Sequence, residues 1–201
     1  MISYKNHLLA AISSGNKNRL RKSALTERLN LNEEFIENNS IKISNHLFKN
    51  FSLLKKNVHL FYPILKNKEV NTWHIHKTIN FNSAIFTSFY EKSKDKWECI
   101  SFNPSVKFTI GKLNIPEPTD YKIETLDIIE VILVPLLVFD KFGNRVGYGK
   151  GIYDSILAQL NKNCLKIGLS FFEVSKEIIQ VNFYDQSLDY CQTPEKLYKF
   201  K

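Results

Sequence analysis

Apolar residues along this chain recur at two periods, and the places where the period changes mark its elements. Through KNRLRKSALTERLN, residues 17 to about 30, Leu20, Ala24 and Leu25 return at helical spacing between basic residues. A second helical stretch follows Leu31-Asn32-Glu33, with Ile36, Ile43, Leu47, Phe51 and Leu54 on its apolar stripe. VHLFYP, Val58 to Pro63, reads as a strand, Thr72 to Ile79 as a short helix, and AIFTSFY, Ala84 to Tyr90, as a second strand. Residues 91 to 120 lose any period, hold Pro104, Pro116 and Pro118, and predict loop with short extended pieces. Val131 to Phe139 is unbroken apolar sequence, as expected of a strand covered on both faces. A polar turn with Asp140 and Gly143 follows, then three glycines at alternate positions. A helix from Ile152 to Leu160, a strand from Leu165 to Phe171 and a last short strand in LDYCQTPEKLYKF complete the pattern. Strands alternating with helices predict a single α/β domain on a mainly parallel sheet, which binds ligands at the carboxyl ends of its strands.

Composition narrows this picture. The chain has 201 residues, enough for one domain with a sizeable core. No run nears the ~18 consecutive apolar residues of a membrane span, so no membrane partner is expected. The opening MISYKNHLLAAISSG has an apolar stretch, Leu8 to Ile12, shorter than the ~7–15 residues of a secretory signal. Residues 1–16 therefore read as an extension before a domain at 17–201. Cys99, Cys164 and Cys191 are far apart and lack CxxC spacing, which suits idle thiols in a reducing cytoplasm. The net charge of +8 invites a nucleic-acid reading, but the lysines are scattered and form no stripe, so no nucleic-acid partner is expected. Only four residues are arginine: Arg19, Arg21, Arg28 and Arg145. Arginine's planar fork suits phosphate oxygens in a way that lysine does not match, and two of the four fall in the motifs below.

The chemistry centres on GYGKGIYD, Gly147 to Asp154. A buried strand, a glycine-rich turn and a helix N-terminus make an anion site, because backbone amides approach an oxyanion where no Cβ intervenes. Arg145 and Lys150 add full charges, and phosphate is the expected ligand. The loop is neither a Walker A sequence nor a dinucleotide fingerprint. Asp154, one turn into the helix, is placed either to hold Mg2+ through water or simply to oppose the helix dipole. Lys17 and Arg21, at i and i+4, share one helical face and suit a phosphate clamp or a solvated surface. Glu69, after the VHLFYP strand, suits a heterocycle's amino group; Glu117, between prolines, suits a site wall or a rigid loop. Asp185 and Asp189 lie four apart, and either is available to share a metal with Asp154. His74 and His76 are expected to face one side of a strand, without a third zinc ligand. Ser155 lacks an elbow motif and no cysteine has an activating neighbour, so acyl-enzyme chemistry is not indicated.

With these residues in view, the chain resembles the 5-formyltetrahydrofolate cyclo-ligase family from about Lys17 to Glu195. The motifs run in order: K-x-x-L-R (Lys17, Leu20, Arg21), E-V-x-T (Glu69, Val70, Thr72), I-x-E-P (Ile115, Glu117, Pro118), the VP-x-x-x-FD…G-x-R-x-GYGKG-x-YD block, and D-x-x-LD (Asp185, Leu188, Asp189). The resemblance implies a Rossmann-like three-layer sandwich and ATP- and Mg2+-dependent closure of 5-formyltetrahydrofolate to the methenyl form. It implies ATP contacts at Lys17, Arg21, Arg145, Val146, Gly147, Tyr148, Gly149, Lys150, Gly151, Ile152 and Tyr153, with Arg145 and Lys150 acting on the transferring phosphoryl group. It implies folate contacts at Tyr62, Glu69, Tyr148, Gly149, Lys150, Gly151 and Ile152, and Mg2+ at Asp154 and Asp189. A monomer is expected. Ser155, Ile152 and Glu173 depart from the family's usual Arg or Lys, aromatic and Gln.

Overall fold

The computed structural model describes residues 2–79 and 83–200, with side chains from residue 15 onward. Helix α1 runs unbroken over Ile2–Leu29, so the position expected to separate extension from domain lies inside one helix. Its inward face buries Lys17, Leu20, Ala24 and Arg28, a stripe of mixed apolar and cationic residues. Asn32 caps the next helix, α2 (Glu33–Asn50), its side chain accepting from the Phe35 amide at 2.7 Å. Ile43 and Leu47 bury fully, whereas Phe51 ends the helix and Leu54 lies beyond it, exposed.

Strand β1 (Asn57–His59) is shorter than expected: the chain continues buried through Pro63 but leaves the ladder after His59. Helix α3 (Trp73–Ile79) carries both His74 and His76, which corrects their assignment to a strand. Strand β2 (Ala84–Glu91) turns back through Asp95, at φ 50°, into β3 (Lys96–Ser101), a six-residue antiparallel strand where loop was expected. Its lysine and glutamate hide the period because much of the strand stays partly exposed. A small ladder pairs β4 (Phe108–Ile110) with β5 (Pro116–Pro118), and β6 (Lys122–Glu124) pairs with β3.

The long apolar run does not make one strand. Strand β7 (Val131–Pro135) stays in the sheet, and the chain then turns into β8 (Val138–Phe139), which pairs with β9 (Arg145–Val146) in a separate hairpin. Pro135 has no amide to continue a ladder, yet Leu136, Leu137 and Phe139 remain buried, so apolar character persists past the strand. Helix α4 (Ile152–Gln159) and strand β10 (Leu165–Leu169) follow as the pattern predicts. The tail supplies two strands, β11 (Tyr190–Gln192) and β12 (Leu197–Lys199).

Among the described residues the main sheet has the order β12-β11-β10-β7-β1-β2-β3-β6, parallel from β11 to β2 and antiparallel at both ends. Alternation along β7 builds two cores. Val131 and Leu133 pack with Ile43, Leu47, Ile75 and Ile79 of α2 and α3, while Ile132 and Val134 pack with Ile156 and Leu157 of α4. The result is the three-layer α/β sandwich. From β1 the chain builds outward to β2 on one side, and from the adjacent β7 to β10 and β11 on the other. Strand order therefore reverses between β1 and β7, opening a crevice at their carboxyl ends.

Candidate active site

A cavity of about 1140 Å³ fills that crevice. The segment after β1 contributes Phe61, Tyr62 and Glu69; β2 contributes Thr87 and Ser88; α1 contributes Lys17 and Arg21. The opposite wall is continuous from Arg145 to Ser155, and the loop from Asn182 to Gln186 closes the rim. Thus every expected ATP or folate residue lines one space. Asp140 holds the wall in place. Fully buried, its carboxylate accepts the amides of Phe142 (2.9 Å) and Asn144 (3.0 Å) within the hairpin turn and that of Ile179 (2.9 Å) at the approach to the rim loop.

The glycine loop is shaped for close approach. Gly149 has φ +84°, and a Cβ there would meet the Arg21 guanidinium carbon at 3.1 Å. Arg21 Nε donates to the Gly147 carbonyl at 2.8 Å, so the cation lies on the loop itself. Lys17 pairs with Asp185, and Lys150 is exposed at the wall. Arg145 is nearly buried; it donates to the Gln186 carbonyl and, at 2.9 Å, to Asp154 Oδ1. These four cations come from two separate parts of the chain, α1 and the segment from Arg145 to Lys150, and meet around one loop.

The other end of the cavity has a different character. Glu69 is buried; its Oε2 accepts the Ile64 amide at 2.7 Å and its Oε1 accepts the Tyr148 hydroxyl. Burial raises its pKa, opposed by those hydrogen bonds and by the charge of Arg28. Tyr62 is buried beside it, its hydroxyl 2.8 Å from His76 Nδ1 and its ring 4.5 Å from Trp73. Burial also raises the pKa of Tyr148 and Tyr153, which keeps both hydroxyls neutral at neutral pH.

The two expected metal residues have different surroundings. Asp154 lines the cavity from the first turn of α4. Asp189 lies outside it, accepting the Lys166 amide at 2.9 Å with the Lys166 ammonium 3.6 Å away, because β11 must register on β10 there. Among the described residues no group of three His, Cys, Asp or Glu side chains is arranged to hold a metal. Mg2+ beside a nucleotide needs only one or two carboxylates, since phosphate oxygens supply other ligands, and Asp154 meets that requirement. Asp185 lines the cavity; Glu117 is buried in the small β4–β5 ladder and does not. Glu173 accepts from Thr193 and Tyr198 at the β12 edge, a packing role away from the cavity. Sequence reasoning missed Arg28, although it lies seven residues beyond Arg21 on the same helical face, and it missed the fully buried His59, which bonds Ser88 at 2.9 Å.

A parallel sheet whose switch point opens onto a deep, cation-rimmed cavity defines an α/β protein built to enclose small anionic molecules. The family model for 5-formyltetrahydrofolate cyclo-ligases matches residues 13–194, and the chain belongs to that family. It is similar to the 5-formyltetrahydrofolate cyclo-ligase of Mycoplasma genitalium, with 30% identity over 158 residues, 77% of this chain and 84% of the relative. The NMR structure of Aquifex aeolicus 5,10-methenyltetrahydrofolate synthetase superposes with a TM-score of 0.79 at 26% identity, covering 92% of this chain and 93% of that one. The Mycoplasma pneumoniae 5,10-methenyltetrahydrofolate synthetase shares the fold, with a TM-score of 0.66 at 23% identity over 92% of this chain and 99% of that one.

Proposed function

We propose that this protein closes 5-formyltetrahydrofolate to 5,10-methenyltetrahydrofolate, consuming ATP and releasing ADP and phosphate. One observation carries the reading: a single cavity of about 1140 Å³ joins a cation-flanked glycine loop to a buried carboxylate and aromatic wall. That volume exceeds the ~300–1,000 Å³ of ordinary single-ligand pockets and suits two substrates side by side. The formyl oxygen on N5 attacks the γ-phosphorus and ADP leaves. N10 then attacks the formyl carbon, loses its proton, and phosphate departs as the ring closes. An amide-like oxygen leaves poorly, and phosphorylation turns it into a good leaving group.

The protein's share is positioning and charge neutralisation. The amides of residues 147–151 with Lys17 and Arg21 grip the triphosphate, Val146, Ile152 and Tyr153 bound it, and Arg145 and Lys150 balance charge on the transferring phosphoryl group. Glu69 receives the pterin's N–H groups, Tyr62 walls the ring, and the glycine loop borders both substrates. Asp154 is the carboxylate that would hold Mg2+, whose charge screens the phosphates when bound. The domain is residues 17–201, acting as a cytoplasmic monomer. Incubation with 5-formyltetrahydrofolate and MgATP should develop methenyltetrahydrofolate absorbance with one ADP per product. Folded protein that leaves the spectrum unchanged would overturn the reading.

A further inference from the structure

Two arginines of α1 are used by neither a family motif nor the phosphate clamp: Arg19, exposed and paired with Glu177, and Arg28, which is among the most deeply buried cations of the chain, 5% exposed. Burying a guanidinium is costly unless its charge and donors are met. Three features meet them here. Arg28 sits in the last turn of α1, where the helix dipole favours a cation. Its Nη1 donates to the Leu136 carbonyl at 3.1 Å. Its Nη2 donates to the Tyr148 hydroxyl, which in turn donates to Glu69 Oε1. The negative partner of Arg28 is thus Glu69, reached through one tyrosine oxygen. Among the described residues Arg28 Nε has no partner, so the guanidinium is held through its two Nη groups, one on the Leu136 carbonyl and one on Tyr148.

We propose that Arg28 is a positioning residue for substrate recognition: through the Tyr148 hydroxyl it holds the Glu69 carboxylate ionised and correctly aimed, and so ties the glycine loop to the folate pocket. This rests on the reading of Glu69 as the pterin contact. Burial alone pushes Glu69 toward its neutral form, which accepts N–H donors more weakly. The groups facing it are Arg28 from α1, Tyr148 from the glycine loop and Tyr153 from α4. Both tyrosines stay neutral, so Arg28 supplies the full positive charge that keeps the carboxylate charged. The hydroxyl between them makes the effect directional: its oxygen accepts from Arg28 Nη2 while its O–H donates to Glu69 Oε1. Because Tyr148 lies within the nucleotide loop, movement of that loop is felt at Glu69 without any further contact.

The sign follows directly. Loss of Arg28 raises the Glu69 pKa further, so the carboxylate becomes protonated at a higher pH as pH falls. The test is calorimetric titration of 5-formyltetrahydrofolate, without ATP, into wild type and the Arg28→Gln, Arg28→Lys and Tyr148→Phe variants from pH 5.5 to 8.5. Steady-state turnover of both substrates is measured in parallel. Arg28→Gln should weaken folate binding about tenfold near neutrality and move its fall at low pH about one unit upward. The KM for ATP should change less than the KM for folate, and Arg28→Lys should restore part of the loss. Tyr148→Phe, which removes only the bridging oxygen, should shift the folate profile in the same direction and serves if Arg28→Gln does not fold. Unshifted folate profiles, or equal losses for both substrates at every pH, would overturn the proposal. Wild type that binds folate but makes no product would overturn the proposed reaction, while the binding profiles would still decide the role of Arg28.

Discussion

At the scale of single residues, the site depends on cations whose positions are set by hydrogen bonds to the backbone and to acids. Arg145 donates to both Asp154 and the Gln186 carbonyl, so its guanidinium is held before any ligand arrives. Arg145→Ala should lower turnover about 10²–10³-fold with a smaller effect on folate affinity, read by steady-state kinetics with both substrates varied. An unchanged rate would place phosphoryl-charge balance elsewhere. Glu69→Gln should raise the folate KM more than the ATP KM; equal changes would count against a pterin contact. The motif residues were legible because glycine spacing and scarce arginines stand out in a lysine-rich chain. Arg28 was not, because its contacts exist only once the fold brings it to Tyr148, 120 positions away, and Tyr148 to Glu69, 79 positions away.

At the scale of elements, the strand–loop–helix unit from β7 to α4 does most of the positioning. Gly151 caps α4 in the left-handed conformation at φ 68°, and Gly149 takes φ +84° against Arg21. Gly149→Ala should strain the loop by roughly 1–2 kcal/mol and displace Arg21. A higher ATP KM with a modest fall in thermal midpoint is expected; wild-type kinetics would show that the loop conformation is not what holds the triphosphate. Helices α2 and α4 were readable from their periods, and the β7 run from its unbroken apolar character. The exit at Pro135 was not, since Leu136, Leu137 and Phe139 stay buried after leaving the ladder. Strand β3 was missed for the opposite reason: a partly exposed strand near the sheet edge keeps Lys and Glu and shows no clean alternation.

At the scale of the whole molecule, the sheet buries ionisable groups that couple folding to pH. His59 is fully buried on β1, and desolvation lowers its pKa to about 4. The folded state therefore resists a proton that the unfolded chain accepts below about 6.5. Stability tied to His59 is fully present above that value and is lost as pH falls toward 4, by about 3 kcal/mol in all. Denaturant midpoints should drop across this window in wild type and drop less in His59→Gln; parallel curves would show that His59 is not the titrating group. By itself the sequence determined the α/β class, the glycine loop and the family, because these rest on local spacing: period, glycine placement and short motifs. Only the tertiary structure decided that Asp189 serves the β10–β11 register while Asp154 faces the cavity, and that Arg28 reaches Glu69. Those facts depend on which strands are neighbours, and the free energy that selects neighbours belongs to the packed core as a whole.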